Sequence, residues 1–337
     1  MHERSYWLGF SLFSGVGPAR FQKLLTHFGT AKAAWKAEKE VLATVIGPAL
    51  TQEFISFRAH QDLAAYEDKL VKAHVSYLIL SDDSYPSLLR QIKSAPFVLY
   101  MQGNAELLRH GNEHAYIGIV GTRKITEYGK HVTQLFTRAL VESGCVIISG
   151  LALGVDAIAH QTTLDAGGKT IAVLGCGVDC CNPAENILLY SRIVQGSGLI
   201  ISEYPLGMEP SKGSFPSRNR IIAGLSKSLL VTEGAIDSGS LITANDALAN
   251  DRQVFTVPGP INSSLSQGPY ALIKKGAKLV TSASDILAFL GMQDQKRASI
   301  RVVGDTLEEQ GVLDLLAEQE LSFDELVKRT GIPAATL

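Results

Sequence analysis

Over residues 1–75 the apolar positions recur with the period of a helix. Phe21, Leu24, Leu25 and Phe28 share one face of a stretch that starts at Pro18. Proline fits a first helical position because its φ is already near the helical value and the N–H it lacks would go unpaired there. Ser14-Gly15-Val16-Gly17-Pro18 therefore reads as the turn between two helices, and we expect a small helical domain over 1–75. From Tyr77 the period shortens. Tyr77–Leu80 and Pro96–Tyr100 read as short strands around a turn at Asp82–Pro86, so that 76–112 serves as a connector.

Beyond residue 113 apolar runs alternate with helical stretches. The runs are Tyr116–Val120, Val146–Ser149, Thr170–Leu174, Gly198–Ser202, Leu229–Thr232, Gln253–Val257 and Lys278–Val280. Between most of them lie helical stretches, among them His131–Ser143, Val155–Ala166, Ala184–Val194 and Leu241–Asn250. Strands apolar on both faces and separated by helices belong to a parallel sheet covered on both sides. The expectation for 113–291 is a doubly wound α/β domain with its crevice at the carboxyl ends of the strands. Polar residues 292–305 then read as a linker. In 306–337, Ser322-Phe323-Asp324-Glu325 is a capping box opening a helix, and Thr330-Gly331-Ile332-Pro333 a turn toward another. The pattern is that of a helix-turn-helix that stops at Leu337, too short to insert a recognition helix into a groove.

A chain of 337 residues exceeds one ordinary core, in keeping with several domains. The formal net charge of −2 excludes a protein that coats nucleic acid with its whole surface, so a polyanion site must be local. The N-terminus shows no signal peptide, and no apolar run approaches the roughly 20 residues of a membrane span, which predicts a cytoplasmic protein without membrane contact. Cys145, Cys176, Cys180 and Cys181 are too few for a disulfide framework. We read them as buried or loop thiols and assign no metal and no cofactor.

The chemistry gathers at the strand ends. Gly121-Thr122-Arg123-Lys124 follows the first run, Ser149-Gly150-Leu151-Ala152-Leu153-Gly154 the second, and Gly175-Cys176-Gly177 the third. Ser238-Gly239-Ser240 comes a few residues after Glu233. Glycine and hydroxyl residues in such turns let backbone N–H groups approach an anion without a Cβ in the way. The stretch Lys212–Ser226 adds an ammonium, the Phe215 ring beside Pro216, and Arg218, Asn219 and Arg220 at the start of a helix. Cations and an aromatic at a helix start suit a sugar–phosphate chain carrying an unpaired base. A charged surface turn is the plainer alternative, but solubility alone does not call for an aromatic there. A G-x-G-x-x-G turn and a G-x-x-x-x-G-K-[ST] loop are both missing, which argues against a dinucleotide dehydrogenase and a P-loop nucleotidase.

In order and spacing these segments resemble DNA-processing protein A, the DprA/Smf family. The resemblance is carried by Gly121-Thr122-Arg123, Ser149-Gly150-Leu151-Ala152-x-Gly154-x-Asp156-x-x-Ala159-His160, Ser202-Glu203-Tyr204-Pro205, Phe215-Pro216-x-Arg218-Asn219-Arg220-Ile221-Ile222-Ala223-Gly224-Leu225-Ser226, Ser238–Ala244 and Val257-Pro258-Gly259. It implies a sterile-alpha-motif-like N-terminal domain, an extended Rossmann-like domain and a C-terminal winged helix, incomplete here. It also implies single-stranded-DNA binding, dimerisation through the Rossmann domain, and help in loading RecA during natural transformation, with no catalytic residues. Arg123 and Lys212 would then hold phosphates, Phe215 would stack a base, and Arg218, Asn219 and Arg220 would shape the pocket. Cys181-Asn182 stands where the family has a Tyr-Pro pair, so the loop 177–183 is left out of the expected site.

Other readings compete for a few residues. Asp156 and His160 share a helix face and could form an acid–base couple or a hydrogen-bonded pair that fixes the turn 149–154; we expect the pair. Glu203 and Glu233 at strand ends are the acids that a nucleotide N-glycosidase would need, and we expect them instead to partner Arg218 or Arg220. The late strands Gln253–Val257 and Lys278–Val280 are expected near a sheet edge open to a second copy.

Overall fold

The computed structural model describes residues 2–109, 115–292, 306–318 and 321–334. Residues 110–114, at the junction of the expected connector and α/β domain, and most of the expected linker 292–305 lie outside them. The chain divides into two compact units, 1–293 and 294–337.

In the larger unit a nine-stranded sheet is ordered β1-β2-β6-β5-β4-β3-β7-β8-β9. The strands are β1 Ser76–Ile79, β2 Val98–Gly103, β3 Tyr116–Val120, β4 Val146–Ser149, β5 Lys169–Val173, β6 Leu199–Ser202, β7 Ser228–Val231, β8 Gln253–Thr256 and β9 Lys278–Leu279. From β6 to β9 every pairing is parallel, with Ile117 against Ile147 on one side of β3 and against Ser228 on the other. Each of the central strands β3, β4 and β7 is buried along its whole length, which is why their sequences run apolar without alternation.

One expectation changes. The segment expected as a connector contributes β1 and β2, which join antiparallel to each other and to β6. Leu99, Tyr100 and Met101 of β2 are buried because the strand is sandwiched in the sheet. At the other end the late strands lie where expected, β8 next to the edge and β9 on it.

Six helices from Glu3 to Lys72 precede the sheet. Trp7, Phe10, Phe21, Trp35 and Phe54 form their core, with the Phe10 and Phe54 rings stacked 5.0 Å apart. As the spacing predicted, Pro18 opens the helix Pro18–Phe28 with Gly17 as its cap. The helices share that core with the sheet. Phe21 stacks on Phe97 at 4.1 Å, and the Ser11 and Tyr100 hydroxyls are 2.6 Å apart.

The smaller unit contains the helices Leu307–Glu318 and Phe323–Thr330. The capping box is present: the Ser322 hydroxyl accepts from the Glu325 N–H, while the Glu325 carboxylate accepts from the Ser322 N–H at 2.9 Å. Among the described residues no helix is long and apolar enough to cross a membrane.

Candidate nucleic-acid interface

The sheet reverses its direction of growth at β3. After β3 the chain adds β4, β5 and β6 on one side, then returns to place β7 on the other. At such a switch point the turns leaving the carboxyl ends diverge and open a crevice. A cavity of about 580 Å³ lies there. Its wall includes Gly121, Thr122 and Arg123 after β3, Ala152 and Asp156 after β4, and Asp237–Ser240 after β7. Lys212, Phe215, Pro216, Arg218 and Asn219 close it from the start of the helix Ser214–Leu225. Two helices, Ser214–Leu225 and Gly239–Ala249, thus begin at the rim and direct the positive ends of their dipoles toward it. The second is capped by the Ser238 side chain, which accepts from the Ser240 N–H.

Arg123 and Lys212 are exposed on this wall. The Arg123 guanidinium lies over the half-buried Phe215 ring, 5.6 Å from its centroid. A smaller hollow of about 80 Å³ adjoins, between Arg123, Phe215, Gly150, Leu153, Asn182 and Pro183. Asn182 and Pro183 belong to the loop left out of the expected site. Their presence beside the ring was invisible in the sequence because it comes from the packing of β5's exit turn against another helix.

The turn after β4 is locked from three directions. The Gly150 N–H donates to Asp156 Oδ2 at 3.1 Å, and the Arg218 guanidinium donates to the Gly150 carbonyl at 2.6 Å. The Asn186 amide donates to the carbonyls of Leu151 and Ala152 at 2.8 and 3.3 Å. This lattice holds Leu151, fully buried, at φ +56, a backbone region that costs a side-chain-bearing residue about 1–2 kcal/mol. Gly150 is required because a Cβ there would lie 2.4 Å from the Arg218 guanidinium. Gly154 is required for two reasons: its φ is +77, and a Cβ would come within 2.3 Å of the Thr122 carbonyl. That contact presses the turn after β4 against the turn after β3.

Of the residues expected in the site, Gly121, Thr122, Arg123, Lys212, Phe215, Arg218, Asn219, Ser238, Gly239 and Ser240 meet on the main cavity, and Gly150 on the adjoining hollow. Lys124, Ser149, Gly154 and Arg220 are on neither wall. The Ser149 hydroxyl is buried and donates to the Ile119 carbonyl at 2.6 Å, and Arg220 donates to Glu203. Arg218 is 4% exposed; it donates to the carbonyls of Gly150 and Val173 and, through Nε, to the Asn219 side-chain oxygen. Its role is to hold backbone. Burial lowers its proton affinity and raises that of Asp156, while each charge opposes the other's shift. Sequence reasoning missed Asp156, Asp237 and Thr243 as lining residues.

Two expected pairings also change. His160 does not face Asp156: its Nδ1 lies 2.6 Å from the Thr170 hydroxyl, and burial drives its pKa down to about 3. Of the two, Asp156 bonds the turn, alongside Arg218 and Asn186. Glu203 partners Arg220 as expected, but Glu233 meets no arginine. Its carboxylate accepts from the Thr126 N–H at 3.0 Å and the Thr126 hydroxyl at 2.6 Å, capping the helix Glu127–Glu142. Neither glutamate is on the cavity wall.

Comparison with known proteins agrees with this architecture. Residues 76–291 match the family described as DNA recombination-mediator protein A. Protein Smf of Synechocystis is 40% identical over 291 residues, covering 86% of this chain and 73% of that protein. The DNA processing protein DprA of Streptococcus pneumoniae is 43% identical over 224 residues, covering 66% of this chain and 77% of that protein. The X-ray structure of the S. pneumoniae protein superposes with a TM-score of 0.72 at 35% identity, covering 85% of this chain and 96% of that one. A structure of DNA processing protein A from Helicobacter pylori, described for its single-stranded DNA binding mode, gives 0.57 at 32% identity and covers 65% and 97%. The chain belongs to the DNA recombination-mediator protein A family.

Proposed function

We propose that this chain binds single-stranded DNA in the switch-point cavity, shields strands taken up in natural transformation, and helps RecA assemble on them without catalysing a reaction itself. The observation that carries the reading is the meeting of Arg123, Lys212 and Phe215 on one wall, drawn from two distant segments, with glycine and serine turns opposite. Phosphates would take the two cations and the backbone N–H groups of the turns. A base would stack on the Phe215 ring or the guanidinium plane, which accepts any sequence because every base has a π-face. Two further points support it: the H. pylori relative is described as binding single-stranded DNA, and both strand-end glutamates that a hydrolase would need are engaged elsewhere.

In this reading residues 1–75 form the sterile-alpha-motif-like domain, 113–291 the DNA-binding Rossmann domain, and 306–337 part of a winged helix. Two copies would pair through the β9 edge, where Leu279 is half exposed. The deciding experiment is a fluorescence-anisotropy titration with labelled oligonucleotide. Arg123→Glu and Lys212→Glu should each weaken binding by about tenfold or more and lower the salt dependence, each lost phosphate contact removing about 0.7 from the log–log slope. Unchanged affinity in both variants refutes the cavity as the binding site.

A further inference from the structure

A second hollow of about 370 Å³ lies beside the main cavity and shares Asp237, Ser238 and Ile242 with it. Its other walls are Ile236, Leu241, Asn245, Ala271, Leu272 and Lys275. Two aliphatic side chains on its wall are open to solvent: Ile236 is 62% and Ile242 44% exposed. Lys275 on its wall, exposed at the close of the helix Gln267–Lys274, has its ammonium 3.4 Å from the Asn245 side-chain oxygen. Lys274 and Lys278 are exposed nearby in sequence.

We infer that the strand does not end in the main cavity but crosses the Ser238–Gly239 turn into this second hollow, where Lys275 takes a backbone phosphate and Ile236 and Ile242 pack against a base. The inference rests on the main cavity being the DNA site. Three features fit this occupant. The hollows share three lining residues, the aliphatic pair offers apolar surface to a base without demanding its identity, and Lys275 lines the second hollow while Arg123 and Lys212 line only the first. Asp237 lies on the wall the hollows share. A phosphate is repelled there, so the strand crosses with a base toward Asp237 and its phosphates on either side. A surface lysine at a helix C-terminus is usual for dipole reasons alone, and it is the groove leading to Lys275 that distinguishes this one.

The test compares oligonucleotides of about three and about twelve nucleotides, the shorter filling the main cavity and the longer reaching both hollows. Lys275→Gln should weaken the longer oligonucleotide by about threefold to tenfold and lower its salt slope by about 0.7, leaving the shorter unchanged. Lys275→Arg should restore the longer, and Asp237→Asn should tighten it. Because Lys275 is exposed, the thermal midpoint of each variant should match the parent. Parent-like affinity and salt slope of Lys275→Gln for the longer oligonucleotide overturn the second hollow while Arg123→Glu still tests the first. Equal loss for both lengths also overturns it, since the lysine would then act on the main cavity. Failure of both Arg123→Glu and Lys212→Glu to weaken either length would instead overturn the reading of the main cavity.

Discussion

Arg218→Met separates holding the backbone from holding DNA. The methionine roughly preserves length and apolar contact but leaves the Gly150 and Val173 carbonyls without their guanidinium partner in a buried setting. Each orphaned acceptor costs about 1–3 kcal/mol. Asp156 also loses a nearby positive charge that offsets its burial. These terms overlap because they share one guanidinium, so we expect a net loss of about 4 kcal/mol and a thermal midpoint lower by about 8 °C. The loss depends on pH. Burial already raises the Asp156 carboxyl above its ordinary value of 3.8, and Arg218 opposes the rise. Without Arg218 the folded-state value climbs further, so the folded chain holds a proton that the unfolded chain has released. Stability then falls as pH rises from the unfolded value through the raised folded one, and the deficit should be larger at about pH 8 than at about pH 5. Thermal unfolding followed by circular dichroism at both values measures this. Arg123→Met, at an exposed position, should leave the midpoint alone and weaken DNA binding. An Arg218→Met midpoint within about 2 °C of the parent at both pH values would refute the structural role assigned to Arg218.

His160, with a folded value of about 3 against 6.5 unfolded, stabilises the fold fully above about pH 6.5 and loses that contribution as pH falls toward 3. Urea midpoints of the parent should therefore drop more steeply with acid than those of His160→Gln, by up to one proton, about 1.4 kcal/mol per pH unit; parallel slopes would refute it. Gly154→Ala should cost about 2 kcal/mol or more and weaken DNA binding, because its Cβ would push the Thr122–Arg123 turn; unfolding and anisotropy together check this. In the proposed dimer, Leu279→Arg on β9 should weaken self-association at least about tenfold in sedimentation equilibrium, and unchanged self-association would refute the β9 interface.

The parallel strands were legible to within a residue because burial on both faces writes an uninterrupted apolar run, as in Tyr116–Val120 and Val146–Ser149. β1 and β2 were read as strands but not as members of the sheet, because short antiparallel strands look the same whether or not they join it. The anion-facing turns could be read from glycine and hydroxyl content. Arg218 could not be told from its neighbours: in the run Arg218-Asn219-Arg220 nothing local says which guanidinium turns inward to meet Gly150 and which pairs with Glu203. The same holds for Glu233, whose partner Thr126 is 107 residues away. Such pairings are set by which strands neighbour one another, a property of the whole chain.

The passage from Tyr204 to Lys212, which carries one of the two cations to the cavity, is fastened along its length. The Leu206 N–H donates to the Tyr66 hydroxyl at 3.1 Å, the Gly207 N–H to Asp179 at 3.0 Å, and the Gly177 N–H to the Met208 carbonyl at 2.9 Å. Tyr66 belongs to the N-terminal helices. A limb immobilised before any ligand arrives loses little entropy when one is captured. In the proposed mode of binding, those helices would govern how long a polynucleotide stays in the cavity, and mutations in them should surface as faster release.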